Sequence, residues 1–299
     1  MRKRQHLFII LIATFAFLAI VSGYPGTASC EQPVITWAYM ADAEPISWEE
    51  DGVAKGVEVE IINHIVNSLG IKVIHKFYPW PRAQQYVEEG KADAMMTTPT
   101  SKRFKYAVFG KENVLPNYMN LFYKKGNTGI AQAVKTMSSL KDLKPYRLID
   151  YTGNGWTAAF MKAKGEYSIE TVSRIEQIPL MIAQGRCDLV INESSWINWW
   201  ADKNNVRTKI EEFEIDWEWT RFHFVFMVSR NSAWADKGLI RALDMEVKKM
   251  KDSGLWFEIL EKYKNPHGIG KPFRSWLDSE YDMAQGFYTD YDSYPVYSK

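Results

Sequence analysis

Gly90-Lys91-Ala92-Asp93-Ala94-Met95-Met96 and Gly185-Arg186-Cys187-Asp188-Leu189-Val190-Ile191 are two copies of one short unit. Each follows an amphipathic stretch, Arg82 to Glu89 in the first copy and Ile175 to Gln184 in the second, that reads as a helix stopped by glycine. Each then runs apolar, as a strand of a parallel sheet does when both its faces are buried. The first copy ends in Thr97-Thr98-Pro99-Thr100 and the second in Asn192-Glu193-Ser194-Ser195. Open α/β sheets bind ligands beyond the carboxyl ends of their strands, so both copies place polar groups where a ligand would sit. Two such sheets facing each other would enclose it.

The rest of the chain fits that frame. Val34 to Tyr39 reads as a first strand, and Glu44 to Gly56 as a loop with a turn at Glu50-Asp51-Gly52. Val57 to Leu69 has apolar residues at helical spacing and ends at Gly70, and Lys72 to Phe77 is a second strand. Pro79-Trp80-Pro81 is expected to break the chain before the repeated unit, and the Thr98 loop leads past Arg103 to an apolar patch at Tyr106 to Phe109. Tyr118 to Tyr123 is expected to leave the first lobe as a strand, with a linker at Lys124 to Gly129. Tyr146 to Asp150 then runs into Tyr151-Thr152-Gly153-Asn154-Gly155-Trp156-Thr157 and a helix. Strand, glycine turn and helix can present backbone N–H groups to an anion, and an ordinary connecting turn has the same sequence. Phe222 to Arg230 returns as a strand, followed by helices at Leu239 to Lys251 and Trp256 to Tyr263. The expected fold class is therefore α/β, with two doubly wound lobes joined by a two-stranded hinge. The expected boundaries are 30–124 with 225–270 for the first lobe and 125–224 for the second.

The ends carry other signals. Arg2, Lys3 and Arg4 precede an apolar run from Leu7 to Val21 and a small-residue segment at Gly23 to Ser29, which reads as a signal peptide over 1–29. The apolar run falls short of the ~20 residues that span a bilayer, so export with removal is expected, to the periplasm or another extracytoplasmic site. Cys30 stands where a lipoprotein carries its acylated cysteine, although Thr27 occupies a position that is apolar in most such signals. Cys187 reads as a small core residue. The 271–299 tail, rich in Tyr and Asp, is given no role.

Composition excludes several classes. Lys and Arg number 37 against 36 Asp and Glu, so no basic excess exists to bind nucleic acid. His6, His64, His75, His223 and His267 show no metal-ligand spacing, and no metal is expected. Gly153 to Ala158 fits a dinucleotide fingerprint, but an exported enzyme would lack a nicotinamide supply, and no cofactor is expected. The chain carries 12 Trp, 16 Tyr and 15 Phe, most of which are expected to serve core and surface packing, with the remainder free to line a cleft.

Gly56-Val57-Glu58-Val59-Glu60-Ile61-Ile62, Pro79-Trp80-Pro81-Arg82-Ala83, Gly90 to Ala94, Thr98-Pro99-Thr100-Ser101-Lys102-Arg103, Thr152-Gly153-Asn154-Gly155 and Asp188 to Glu193 occur in an order that resembles the family 3 extracellular solute-binding proteins. These are the periplasmic receptors of polar amino-acid ABC transporters, with a type II, Venus flytrap fold. The resemblance covers roughly residues 34 to 265. It implies that Arg103 grips the ligand's α-carboxylate, helped by Thr98 and the backbone at Gly153 and Gly155, and that Glu193 pairs with the α-ammonium. Glutamate is longer than the aspartate usual at that position. Chemistry supports the Arg103 assignment, because a guanidinium fork fits a carboxylate bidentately and the lysines at 102 and 105 do not. Glu193 also reads as a helix N-terminal charge. Trp80, Tyr39, Trp156 and Trp196 are expected as apolar or cation–π faces.

The expected protein is a monomeric, non-catalytic receptor that delivers an amino acid or related carboxylate to an ABC permease in the inner membrane. Two other classes share these features. One is a dehydratase of the cyclohexadienyl type with a cleft acid beside Arg103, and the other is a sensory module that docks on a membrane receptor.

Overall fold

The computed structural model describes residues 32–161, 166–217 and 220–263. The expected leader, Cys30 and the tail lie outside these residues. In chain order the strands are β1 (Val34–Met40), β2 (Trp48–Glu50), β3 (Val53–Lys55), β4 (Lys72–Tyr78), β5 (Ala94–Thr97), β6 (Ala107–Phe109), β7 (Leu115–Lys124), β8 (Arg147–Tyr151), β9 (Ser168–Val172), β10 (Val190–Glu193), β11 (Ile210–Phe213) and β12 (Arg221–Ser229). The helices are α1 (Val57–Ser68), α2 (Trp80–Glu88), α3 (Ser101–Phe104), α4 (Thr128–Ala133), α5 (Gly155–Phe160), α6 (Gln177–Gln184), α7 (Ser194–Lys203), α8 (Leu239–Ser253) and α9 (Leu255–Lys262).

β1 shows why the first half is a buried, doubly covered sheet. Ile35, Trp37 and Tyr39 point to one face and pack with Ile61, Ile62 and Ile65 of α1. Ala38 points to the other, with Ala83 and Val87 of α2. β1 pairs in parallel with β4 and β5, and β12 closes this half antiparallel to β5. In the second half β8 and β9 are parallel, and a Leu148–Leu189 bridge ties β8 to the approach of β10. Leu121, Leu143, Leu148, Leu189 and Ile191 form the core there.

Two strands connect the halves. β12 pairs with β5 and β6 through Val225 to Ser229 and with β7 through Arg221 to Phe224. β7 pairs with β12 at Leu115 to Tyr118 and with β10 and β11 from Met119 onward. The architecture is the expected two-lobed α/β fold on a two-stranded connection.

The repeated unit folds the same way twice. Gly90 and Gly185 have φ of 72° and 73°, the left-handed conformation that ends a helix. Asp93 Oδ2 accepts from the N–H of Thr36 at 2.7 Å, and Asp188 Oδ2 from the N–H of Arg147 at 2.8 Å. The two aspartates therefore pin their strands to the starts of β1 and β8.

Four local expectations are corrected. The 44–56 loop contains the hairpin β2–β3 around the Asp51-Gly52 turn, because strands of three residues are too short to show alternation. Trp80 and Pro81 do not break the chain but begin α2, since proline is tolerated in a first helical turn, where its missing N–H costs nothing. The Lys124 to Gly129 linker is structured: β7 runs to Lys124, and Asn127 Oδ1 caps α4 by accepting from Ile130 N–H. The connector strands meet at Leu115 to Tyr118, whereas Tyr123 pairs with Glu211 inside the second half, so the crossing precedes the expected Tyr123.

Candidate functional site

The carboxyl ends of β5 and β10 open on a common cavity of about 50 Å³. At about 10–15 Å³ per water-sized position, it holds about four such positions as it stands. Its lining includes Tyr39, Trp80, Thr98, Arg103, Gly155, Trp156 and Glu193 from the sequence reading. Gly153 stands outside the lining, and its carbonyl accepts from Gln84 Nε2 at 3.3 Å.

Arg103 reaches the cavity from α3, a single helical turn capped by Thr100 Oγ1 on the Arg103 N–H. The residue is 3% exposed. Its guanidinium donates from Nη1 to the Thr98 carbonyl at 2.6 Å and from Nη2 to Gln84 Oε1 at 2.7 Å, and lies 5.5 Å from the Trp80 ring centre. Across the cleft it rests on Gly155, where a Cβ would stand 2.8 Å from Nη2. Glycine at 155 thus permits this close approach, and a side chain there would push the guanidinium aside.

The glycine turn resolves differently from a bare anion cradle. Asn154 Oδ1 accepts from the N–H groups of Trp156 and Thr157 at 3.0 and 3.4 Å, so the first turn of α5 is capped from within. Asn154 Nδ2 and Asn192 Nδ2 both donate to Asp150 Oδ1, at 3.1 and 2.8 Å, and this network fixes the second wall.

Glu193 unites its two readings. It is the N-cap of α7, with Oε2 accepting from Trp196 N–H at 3.2 Å and from the Ser195 hydroxyl, and it also lines the cavity. Burial pushes its carboxyl up to about 7, against the pull of these hydrogen bonds.

Tyr39 borders the cavity, yet its hydroxyl lies 2.9 Å from His75 Nδ1 and its ring stacks on Phe77, so most of it serves the core. Strand alternation explains this, since it shares a face with Ile35 and Trp37. Trp200 is buried and adjacent Trp199 is half-buried, and both pack on the core.

Sequence reasoning missed Glu58, Gln84, Asn117, Tyr151 and Phe224. Glu58 was findable: it shares a helical face with Ile61, Ile62 and Ile65, so it is a charge in the apolar stripe of α1. Burial pushes its carboxyl up to about 8. Asn117 Oδ1 and Trp196 Nε1, both in the lining, have no hydrogen-bond partner among the described residues.

Contacts also close the cleft rim. Lys203 Nζ lies 3.0 Å from Glu44 Oε1, Arg174 Nε lies 3.6 Å from Asp42, and the Trp48 and Trp199 ring centres are 6.3 Å apart. Elsewhere, buried Cys187 has its thiol pushed up to about 12 by burial. Among the described residues no group of three or more His, Cys, Asp or Glu is placed to hold a metal ion, and no helix is long and apolar enough to cross a membrane.

Comparison with known proteins agrees with this architecture. A probable histidine-binding protein of Neisseria gonorrhoeae is 24% identical over 223 residues, 73% of this chain and 77% of that protein. The structure of an ancestral arginine-binding protein bound to arginine superposes with a TM-score of 0.64 at 18% identity, covering 78% of this chain and 98% of that one. An ancestral amino acid-binding protein, a precursor of cyclohexadienyl dehydratase, gives 0.61 at 19% identity, covering 78% and 96%. Residues 35–266 match the family as a whole, and the chain belongs to the bacterial extracellular solute-binding proteins, family 3.

Proposed function

We propose that this protein captures a small carboxylate-bearing solute, an amino acid or related compound, between its lobes and presents it to an ABC permease in the inner membrane. One observation carries the reading: Arg103 from the first lobe and Glu193 from the second line the same cavity. A guanidinium and a carboxyl on opposite walls match the two charges of an amino acid's α-carbon. Arg103, with Thr98 beside it, takes the carboxylate. Glu193 takes the ammonium, Gly155 lets the guanidinium approach the second wall, and Trp80 and Trp156 supply apolar surface. Gly153 contributes at the rim through Gln84. Closure is favoured by contacts that exist only when both lobes meet the ligand.

The histidine-binding relative and the arginine-bound structure support an amino-acid ligand. We read a cleaved leader over 1–29 and a monomer that binds no nucleic acid. Lipidation at Cys30 would tether it to the membrane. A thermal-shift screen of amino acids and amines tests the reading. A ligand at 100 times its Kd stabilises by about 2.7 kcal/mol, and no shift with any amino acid would refute it.

The Glu193 carboxyl favours a second reading. An acid that burial raises to about 7, in a cavity that a guanidinium also lines, can donate a proton to a leaving group, as a dehydratase requires. Incubation with prephenate, followed by product absorbance, separates turnover from capture.

A further inference from the structure

The cavity contains a second buried acid for which an amino acid's α-carbon offers no partner. Glu58, in the first turn of α1, is 4% exposed and lines the cavity with Arg103 and Glu193. Its Oε1 accepts from Trp37 Nε1 at 3.0 Å, and the Met96 backbone N–H also bonds to it, so its position is fixed between β1, β5 and α1. Those bonds ask only for a neutral acceptor, which a glutamine would supply. A carboxyl at such a site is costly when ionised unless a cation meets it. The lining offers only Arg103 as a cation, and the ligand's own carboxylate takes that. The lining also includes Met96, Met119, Tyr151 and Phe224, with Asn117 Oδ1 as one more acceptor without a partner among the described residues. The charge count is therefore one guanidinium against two carboxyls.

We propose that Glu58 sets the ligand class, a short dibasic amino acid whose side-chain nitrogen cation is received by Glu58, with Asn117 as a further acceptor in the same lining. The cavity volume is why the side chain is short. The inference rests on the amino-acid reading above and goes beyond it in naming the side chain. Burial holds the Glu58 carboxyl above the usual range, as expected of an acid whose cation arrives with the ligand.

The test is isothermal titration of wild type, Glu58→Gln and Arg103→Ala with L-2,4-diaminobutyrate, its neutral isostere L-norvaline, and L-homoserine. Wild type is expected to prefer diaminobutyrate over norvaline by about tenfold or more, and Glu58→Gln to bring the ratio within about threefold. A wild-type ratio below about threefold overturns the inference, as does a preference that survives in Glu58→Gln. Should Glu58→Gln not fold, the wild-type series decides, and homoserine binding as tightly as diaminobutyrate overturns it. If Arg103→Ala loses all three ligands while the ratio test fails, the amino-acid reading stands and only this inference falls. If wild type binds none of the three, the inference falls, and the broader thermal-shift screen decides the amino-acid reading.

Discussion

In the first lobe Asp93 of the repeated unit accepts the N–H of Thr36, and in the second Asp188 accepts that of Arg147, at 2.7 and 2.8 Å. The return bonds match as well, with Asp93 N–H to Thr36 carbonyl and Asp188 N–H to Arg147 carbonyl both at 2.9 Å. Beyond this shared frame the two copies part. The first continues through Thr98 into a capped helical turn that delivers a cation, Arg103, and the second continues into a capping acid, Glu193. The same scaffold thus aims opposite charges at one cavity. The repeat sets position, and the few residues after each strand set chemistry.

The largest break in that comparison comes from the cationic side. Arg103→Ala is expected to lose about 2 to 5 kcal/mol of affinity for a carboxylate ligand, because it also leaves the ligand's charge desolvated and unpaired. Titration calorimetry with the best ligand from the thermal-shift screen checks it, and an affinity within twofold of wild type would remove Arg103 from the site.

The anionic side should respond less and with a pH signature. Glu193→Gln is expected to cost about 1.5 to 3 kcal/mol of affinity for an ammonium-bearing ligand. In wild type that affinity should rise with pH through about 7, where the Glu193 carboxyl ionises. Stability of the ligand-free protein should run the other way. Glu193 and Glu58, pushed by burial to about 7 and about 8, bind protons more tightly folded than unfolded, so stability falls as pH rises from 6.5 to 8.5. Half-buried His75 and buried His223 are lowered below the usual histidine value and act mainly below that window, with the opposite sense. Urea unfolding across the window measures the slope, and a Glu58→Gln/Glu193→Gln double variant with the wild-type slope would contradict the assignment.

The scaffold half of the comparison is sharpened by the aspartates. Asp93→Ala removes the acceptor of the Thr36 N–H and of the Ser232 hydroxyl, and should cost about 1 to 3 kcal/mol of stability. Asp188→Ala should cost less, because its partner Arg147 is 63% exposed and water can replace the bond. Denaturation of both variants checks the order, and neither should alter the ranking of ligands. Smallest is the rim: Lys203→Ala breaks the ion pair to Glu44 and is expected to weaken affinity by about 1 kcal/mol or less, with the difference shrinking at high salt.

Much of this was legible in the chain. The glycine stops, the apolar strands and the arginine after Thr98 are local signals, and each reports the element that contains it. The hairpin at Trp48 to Lys55 was hidden because three-residue strands carry no readable period. Gln84, Asn117 and Phe224 were hidden for another reason: whether such residues reach the cavity or the opposite lobe depends on how two lobes meet, which no single element encodes. Glu58 lay between these cases, its charge visible in the stripe of α1 but its neighbours in the cavity supplied by β5 and the second lobe.

The central claim, that opposite charges on the two lobes hold one solute, is tested most directly on the unaltered protein from the ligand's side. Calorimetric titration with the best amino acid, with its α-amide and with its des-amino analogue removes the carboxylate and the ammonium in turn. Each analogue is expected to bind at least about tenfold more weakly than the parent. An analogue that binds as tightly as the parent would contradict the claim.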